Sequence, residues 1–190
     1  MMTREFVTAL RLVIATVVIC CVVYPVAILV FATVAVPQKR LGSLLEGRHG
    51  APVGSRLVAQ AFRRPEYFWP RPSAVGYDAS AAGGSNLSPH NPLVRRRAEE
   101  TLRQLALPQE SEVPADLVAA SGSGLDPHIS LAGALVQVPR LANRRRISEN
   151  DLKKFVQQHA EMNAPSALGG EPLINVPLLN LALDEAYPVP

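Results

Sequence analysis

The densest gathering of reactive side chain types is Ser121-Gly122-Ser123-Gly124-Leu125-Asp126-Pro127-His128. Hydroxyls, a carboxylate and an imidazole within eight residues are the parts of a hydrolytic set. The spacing argues against one. No G-x-S-x-G elbow lifts a serine, and groups so close in sequence seldom reach triad geometry. The glycines offer another reading, a nest of backbone N–H groups for an anion. The third glycine of a dinucleotide fingerprint is absent, and no G-x-x-x-x-G-K-[ST] loop occurs. A tight turn in which Ser and Asp cap neighbouring backbone is the favoured reading. The four histidines, His49, His90, His128 and His159, form no i, i+4 pair and have no cysteine nearby. Zinc-ligand spacing is therefore missing. The expectation is a non-catalytic chain with no metal site and no directly bound cofactor.

Two other clusters carry charge. Arg95-Arg96-Arg97 and Arg144-Arg145-Arg146 would each fan over about 200° of a helix, which favours a solvated surface. The alternative is attraction to lipid head groups or an acidic partner. Phe62-Arg63-Arg64-Pro65-Glu66-Tyr67-Phe68-Trp69-Pro70-Arg71-Pro72 is richer. Trp, Tyr and Arg are favoured interface anchors, and they are also what an aromatic-poor domain would pack its core with. Both readings stay open, for different side chains. Nucleic-acid stacking is disfavoured by the charge balance described below.

The elements that must position these groups follow from periodicity and caps. Gly54–Phe62 reads as a short strand or turn, and Pro65, Pro70 and Pro72 forbid regular structure as far as Tyr77. Ala79–His90 is a small-residue loop. Asn91 as N-cap and Pro92 at the first position open the clearest helix, ended by Pro108. Val113–Val118 is strand-like or helical. A second helix begins after Ser130 and is interrupted by Pro139. A third starts at Ser148, with Leu152, Phe155 and Val156 as its apolar stripe. Pro172–Val176 reads as a strand, and Pro177 opens a last helix. Short strands alternating with helices predict one mixed α/β (α+β) domain.

Upstream lies a different kind of chain. Leu12–Val36 is 25 residues without a charge, bounded by Arg11 and Lys39-Arg40. At about 1.5 Å per residue it reaches ~37 Å, enough for a ~30 Å hydrocarbon core. It is too long for the apolar region of a cleaved signal, so the expectation is a single N-terminal transmembrane α-helix. Pro25 should kink it. The expected organisation is a tail at 1–11, a span at 12–36 and a globular domain at 37–190. Cys20 and Cys21, the only cysteines, both fall in the span. The formal charge of +3 arises wholly within residues 1–40, which leaves the remainder neutral. The basic residues Arg4 and Arg11 before the span are outnumbered by Lys39, Arg40, Arg48 and Arg56 after it. That count weakly places the domain in the cytoplasm. One helix cannot enclose an ion pathway, so in any transport system this chain is an accessory.

Five separated motifs then occur in order: Gly83-Gly84-Ser85-Asn86-Leu87 with Asn91-Pro92, Val113–Val118, Ala120–Ser130, Gln137-Val138-Pro139-Arg140-Leu141-Ala142, and Asn175–Asp184. After one span, and with Tyr67-Phe68 and Arg71-Pro72-Ser73-Ala74 upstream, they resemble the C subunit of the bacterial high-affinity potassium-transporting ATPase, the Kdp system. The resemblance covers residues 12–185. It implies an accessory subunit in the bacterial inner membrane. Its partners would be a potassium-carrying channel-like subunit, a P-type subunit that hydrolyses ATP, and membrane lipid, but not nucleic acid. It also implies a role in holding the two subunits together, and a proposed chaperone effect that raises the pump subunit's ATP affinity. This chain has no D-K-T-G-T motif, so ATP would be met only through the pump subunit. A nucleotide-binding regulatory subunit and a membrane-anchored envelope enzyme are the alternatives.

The family places the N-terminus in the cytoplasm and the large domain outside, against the charge count. An outer domain cannot touch cytoplasmic ATP, so an effect on affinity would pass through the span. The motif residues are expected to be structural or interfacial. Asn86, Asn91, Asp126 and Asn175 should cap loops and helices. Gly83, Gly84, Gly122 and Gly124 should take angles other residues resist. Gln137 and Arg140 should face a partner. Ser85, Pro92, Ser121, Ser123, Pro139 and Asn180 complete the set.

Overall fold

The computed structural model describes residues 2–47, 50–105, 112–161 and 170–189. The chain divides into two compact units, residues 1–44 and 45–190.

The first unit is a long helix. It runs as α1 (Met2–Val18), a π-helical turn (Ile19–Val23) and α2 (Tyr24–Ala35), followed by the short α3 (Pro37–Arg40). Residues Thr3–Ala35 form a helix long and apolar enough to cross a membrane, and none of that stretch is buried within the chain. The π turn sits just before Pro25. Proline has no N–H and its ring crowds the carbonyl one turn earlier. The chain answers by widening that turn, and Tyr24 N–H donates to Ile19 O, five residues back. Of the residues expected as a tail, 2–11 are thus already helical. Polar side chains on this helix are turned inward: Thr8, Thr16 and Thr33 donate to the carbonyls of Arg4, Leu12 and Leu29 at 2.7–2.9 Å. For Thr16 and Thr33, inside the uncharged run, no water would be at hand in hydrocarbon, so the i−4 carbonyl takes the hydroxyl.

The second unit mixes helices with two small sheets. β1 (Leu44–Glu46) pairs with β2 (Pro52–Ser55). No helix or strand interrupts residues 56–91, as the prolines required. α4 (Pro92–Leu105) follows, with Leu93 N–H held by Asn91 Oδ1 at 2.9 Å. Pro108, the expected stop, lies outside the described residues. α5 (Ala115–Val118) resolves the ambiguous Val113–Val118 stretch as a helical turn. β3 (His128–Ser130) pairs antiparallel with β4 (Leu173–Asn175) in the register Ile129 to Ile174. α6 (Leu131–Leu135) and α7 (Val138–Arg145) are separated just ahead of Pro139. α8 (Glu149–Gln158) and the final α9 (Val176–Ala186) complete the unit.

Caps fix where these helices begin. Ser130 Oγ accepts from Gly133 N–H at 2.8 Å, and Asn175 Oδ1 accepts from Leu178 N–H at 3.2 Å. Asp116 accepts from both the amide and the hydroxyl of Ser130, so α5 is tied to the start of α6. The core draws on every element but the first sheet. Leu105, Leu117, Ile129, Val138, Leu141, Leu152, Val156, Ile174, Leu179 and Leu183 are all buried. Its largest fully buried side chain, Phe68, comes from the irregular segment. An aromatic in the centre of a small core anchors most of its neighbours. Phe68→Ala is expected to cost about 3–5 kcal/mol. Denaturant unfolding of the full chain in detergent, followed by emission of Trp69, the chain's single tryptophan, measures it.

Candidate functional site

An extended segment that enters a core without joining a sheet brings unpaired N–H and C=O groups with it, and each is costly to leave unmet. At Phe68 and Trp69 two side-chain amides meet that demand. Asn180 Oδ1 accepts from Phe68 N–H at 2.8 Å, and its Nδ2 donates to Phe68 O at 2.9 Å. Gln137 Oε1 accepts from Trp69 N–H at 2.9 Å, and its Nε2 donates to Trp69 O at 3.1 Å. Each carboxamide carries one acceptor and one two-hydrogen donor. Each therefore copies the pairing a neighbouring strand would make. Gln137 Nε2 also reaches Gly133 O at 3.1 Å.

Two arginines complete the clamp. Arg140 stacks over the Trp69 ring, 4.2 Å from its centroid, and donates to Gln137 Oε1 at 2.8 Å and to Pro65 O. Burial, then the nearby Arg144, pushes its pKa down to about 10, and Glu66 opposes the shift. Arg145 is more deeply set, its side chain 0% exposed. It donates to Glu66 O at 2.8 Å, Tyr187 O at 2.6 Å and Asp184 Oδ1 at 2.7 Å, and it lies 5.1 Å from the Tyr67 ring centre. Tyr67 Oη donates to the same carboxylate at 2.9 Å. Burial, then that hydrogen bond, raises the Tyr67 pKa. One guanidinium thus joins the aromatic segment, α7 and the C-terminal end of α9.

A second cluster joins the glycine loops. Gly83 N–H donates to Ser123 O at 2.8 Å, and Ser121 N–H to Pro72 O at 3.1 Å. Gly124 lies at φ +71°, and a Cβ there would stand 2.6 Å from Val75 Cγ2 and 2.8 Å from Gly83 O. Gly84 serves close approach, since its Cβ would meet Gly122 O at 3.0 Å. Gly83, Gly84 and Gly122 are not in the left-handed region, which corrects that expectation for three of the four glycines. The amides of Gly124 and Leu125 go to Ser121 O and Ser123 Oγ, the geometry of a capped turn. Next to it Arg71 Nη1 meets Asp126 Oδ2 at 3.1 Å, and Asp126 Oδ1 accepts from His128 N–H at 3.0 Å. Burial raises the Asp126 pKa, but the bonds from His128 and Arg71 outweigh it, and the net shift is downward. Asn175 Nδ2, 3.4 Å from His128 Nε2, donates to Arg56 O at 2.9 Å.

The motif residues therefore fall into two groups and a remainder. Gln137, Arg140 and Asn180 meet at the aromatic segment. Gly83, Gly84, Ser121, Gly122, Ser123, Gly124, Asp126 and Asn175 gather at the loop cluster and β3–β4. Ser85 and Asn86 continue the first glycine loop, and Asn86 takes a left-handed backbone (φ +49°). Asn91 and Pro92 open α4, and Pro139 is exposed on α7. Gln137 and Arg140 turn into their own domain: Gln137, the residue before α7, shares its inner face with Val138, Leu141 and Arg145, and Arg140 lies beside it over the Trp69 ring. That spacing was the missed sign that Arg145, read as part of a solvated triplet, is buried. Asp116 was missed as well, for want of any local pattern, and Tyr67 was singled out only as part of the aromatic segment, with no sign of its bond to Asp184.

Arg145→Met strands two carbonyls and a carboxylate, and is expected to cost about 3–5 kcal/mol. Arg145→Lys recovers little of this, lacking the fork. Arg144→Met and Arg146→Met, both exposed, should stay within about 0.5 kcal/mol. Thermal unfolding of the full chain ranks the four. Asp126 ionises more easily folded than unfolded, so its stabilisation is complete above its ordinary value of 3.8 and vanishes as pH falls through the lower native value. Asp126→Asn should cost about 1–2 kcal/mol at pH 7 and converge with the parent in strong acid, as melting curves across pH will reveal.

Sequence comparisons agree with this architecture. The family model described as KdpC, K+-transporting ATPase, c chain, matches residues 6–185. A potassium-transporting ATPase KdpC subunit from Parvibaculum lavamentivorans is 45% identical over 182 residues, 95% of this chain and 96% of that protein. Its counterpart in Geobacter sulfurreducens is 41% identical over 189 residues, 97% and 100% of the two chains. That of Sorangium cellulosum is 45% identical over 169 residues, 86% and 88%. The match takes in the apolar helix, both residue clusters and α9, and on that ground the chain belongs to the KdpC family.

Proposed function

We propose that this chain is a membrane-anchored, non-catalytic subunit of a potassium-transporting ATPase, holding its channel-like and ATP-hydrolysing subunits together. The observation that carries the reading is the full-length match to chains named as KdpC subunits. The internal chemistry supports it. The polar groups are satisfied internally: Gln137, Asn180, Arg140 and Arg145 bond to the domain's own backbone, and Asp126 accepts from Arg71 and from His128 N–H. They build a rigid body suited to contact. The helix Thr3–Ala35 displays apolar side chains all round. Residues 12–36 form the membrane-embedded part and pack against partner helices and lipid. Residues 37–190 form the extramembrane domain.

The domain lies outside the bacterial inner membrane and the N-terminus in the cytoplasm. Partner helices fix this orientation, over the weak vote of six basic residues. Any gain in the pump's ATP affinity then passes through the span, by favouring one pump conformation over another. The committed amides of Gly124 and Leu125 favour this indirect route over nucleotide capture by the glycine loop.

Replacing residues 12–36 with an unrelated apolar helix should leave the chain in the membrane and abolish its copurification with the ATPase. Retention of the chain and full potassium uptake would refute the assembly role. Protease added to intact cells with a permeabilised outer envelope should digest the domain and spare an N-terminal tag.

A further inference from the structure

The domain carries a groove of about 640 Å³ between the irregular aromatic segment and α4. Phe62, Trp69 and Tyr77 line it from one side and Leu105 from the other. A cation stands on each wall, Arg63 on the aromatic segment and Arg97 on α4. Six other arginines of the domain pair with carboxylates: Arg56, Arg64, Arg71, Arg95, Arg103 and Arg145. Among the described residues Arg63 and Arg97 have no such partner; Arg96, Arg140, Arg144 and Arg146 have none either but do not line the groove. Arg97 is the member of its triplet turned to the groove, and Arg95 is occupied by Glu99 at 2.7 Å.

We infer that this groove binds an extended, acidic segment of another subunit, with acidic side chains meeting Arg63 and Arg97 and apolar ones entering between Phe62, Trp69, Tyr77 and Leu105. The inference rests on the assembly role proposed above. Charge complementarity selects the occupant. Two guanidinia on opposite walls of an apolar trough match anionic groups spaced along a chain, not a single head group at one end of a lipid. Trp69 and Tyr77 are held in place by their own bonds, Trp69 by Gln137 and Tyr77 Oη by Arg71 O at 2.9 Å. They offer contact area at small entropic cost, as anchors of recognition surfaces do. The docked segment would shield both charges from solvent and make them count for more than exposed pairs do.

The test uses the full chain in its assembled complex, with a photoreactive benzoylphenylalanine in place of Phe62 or, separately, Tyr77. Irradiation should yield an adduct with another subunit, and mass spectrometry should place it within a few residues of an Asp or Glu. The Arg63→Glu/Arg97→Glu double variant should be retained by the complex about tenfold less at low salt, with the Trp69 melting transition unchanged. Lys in place of the mapped acids should restore retention. Arg63→Gln/Arg97→Gln should give a smaller loss, and it serves if the reversal disturbs folding. Adducts with lipid alone, with no partner or with a basic segment would overturn the inference. So would equal retention of the charge-reversed chain, or labelling by a photoreactive ATP analogue that Arg97→Glu abolishes. If the unaltered chain itself is not retained, the assembly role fails; if only the variants behave like the parent, the groove alone is refuted.

Discussion

The second unit depends on one constraint: an extended piece of backbone is buried where no strand can pair with it. Phe68 must be central, because it is the largest apolar group the core contains. Its neighbours on either side are proline-rich and cannot continue into a sheet. The peptide groups of Phe68 and Trp69 are therefore met by Asn180 and Gln137, each bonding twice. Removing either amide would leave two buried polar groups unmet rather than one, which makes the pair sensitive far beyond its size.

That arrangement organises the helices. Gln137 can reach Trp69 only from the turn that separates α6 from α7, and Asn180 can reach Phe68 only from the inner face of α9. The chain thus sets two helices against the aromatic segment by hydrogen bonds as well as by packing. The guanidinia extend the same logic outward. Arg140 lies on the Trp69 ring, and Arg145 gathers the carbonyls of Glu66 and Tyr187 with the Asp184 carboxylate. A buried cation is costly unless its donors are matched, and here the fork of Arg145 is matched by backbone and acid together. Two-stranded sheets are marginal on their own. This domain relies on side-chain bonds where a larger sheet would use its ladder.

The first unit answers a different solvent. Its helix shows apolar side chains on every face, satisfies its threonines on its own carbonyls, and absorbs Pro25 with a π turn. Such a helix is complete in its backbone and open in its side chains, the condition of an element that packs against other helices or lipid. Each unit by itself is consistent with a family whose members are named as subunits.

Local signals in the sequence determined a good deal. The uncharged run at residues 12–36 marked a long apolar helix, and Asn91-Pro92, Ser130, Pro139 and Pro177 marked helix starts, because caps and prolines act within a few residues. Ser121–His128 was legible as a capped turn for the same reason. Only the tertiary structure decided where the polar motif residues point. Gln137 bonds a residue 68 positions away, Asn180 one 112 away and Arg145 one 79 away. Such pairings leave no period and no motif, since each partner is a backbone group that any residue supplies. The groove's two arginines were likewise invisible: Arg97 looks like Arg95 and Arg96 in sequence. Only the packing of α4 on the aromatic segment separates the arginine that faces the groove from those that face water.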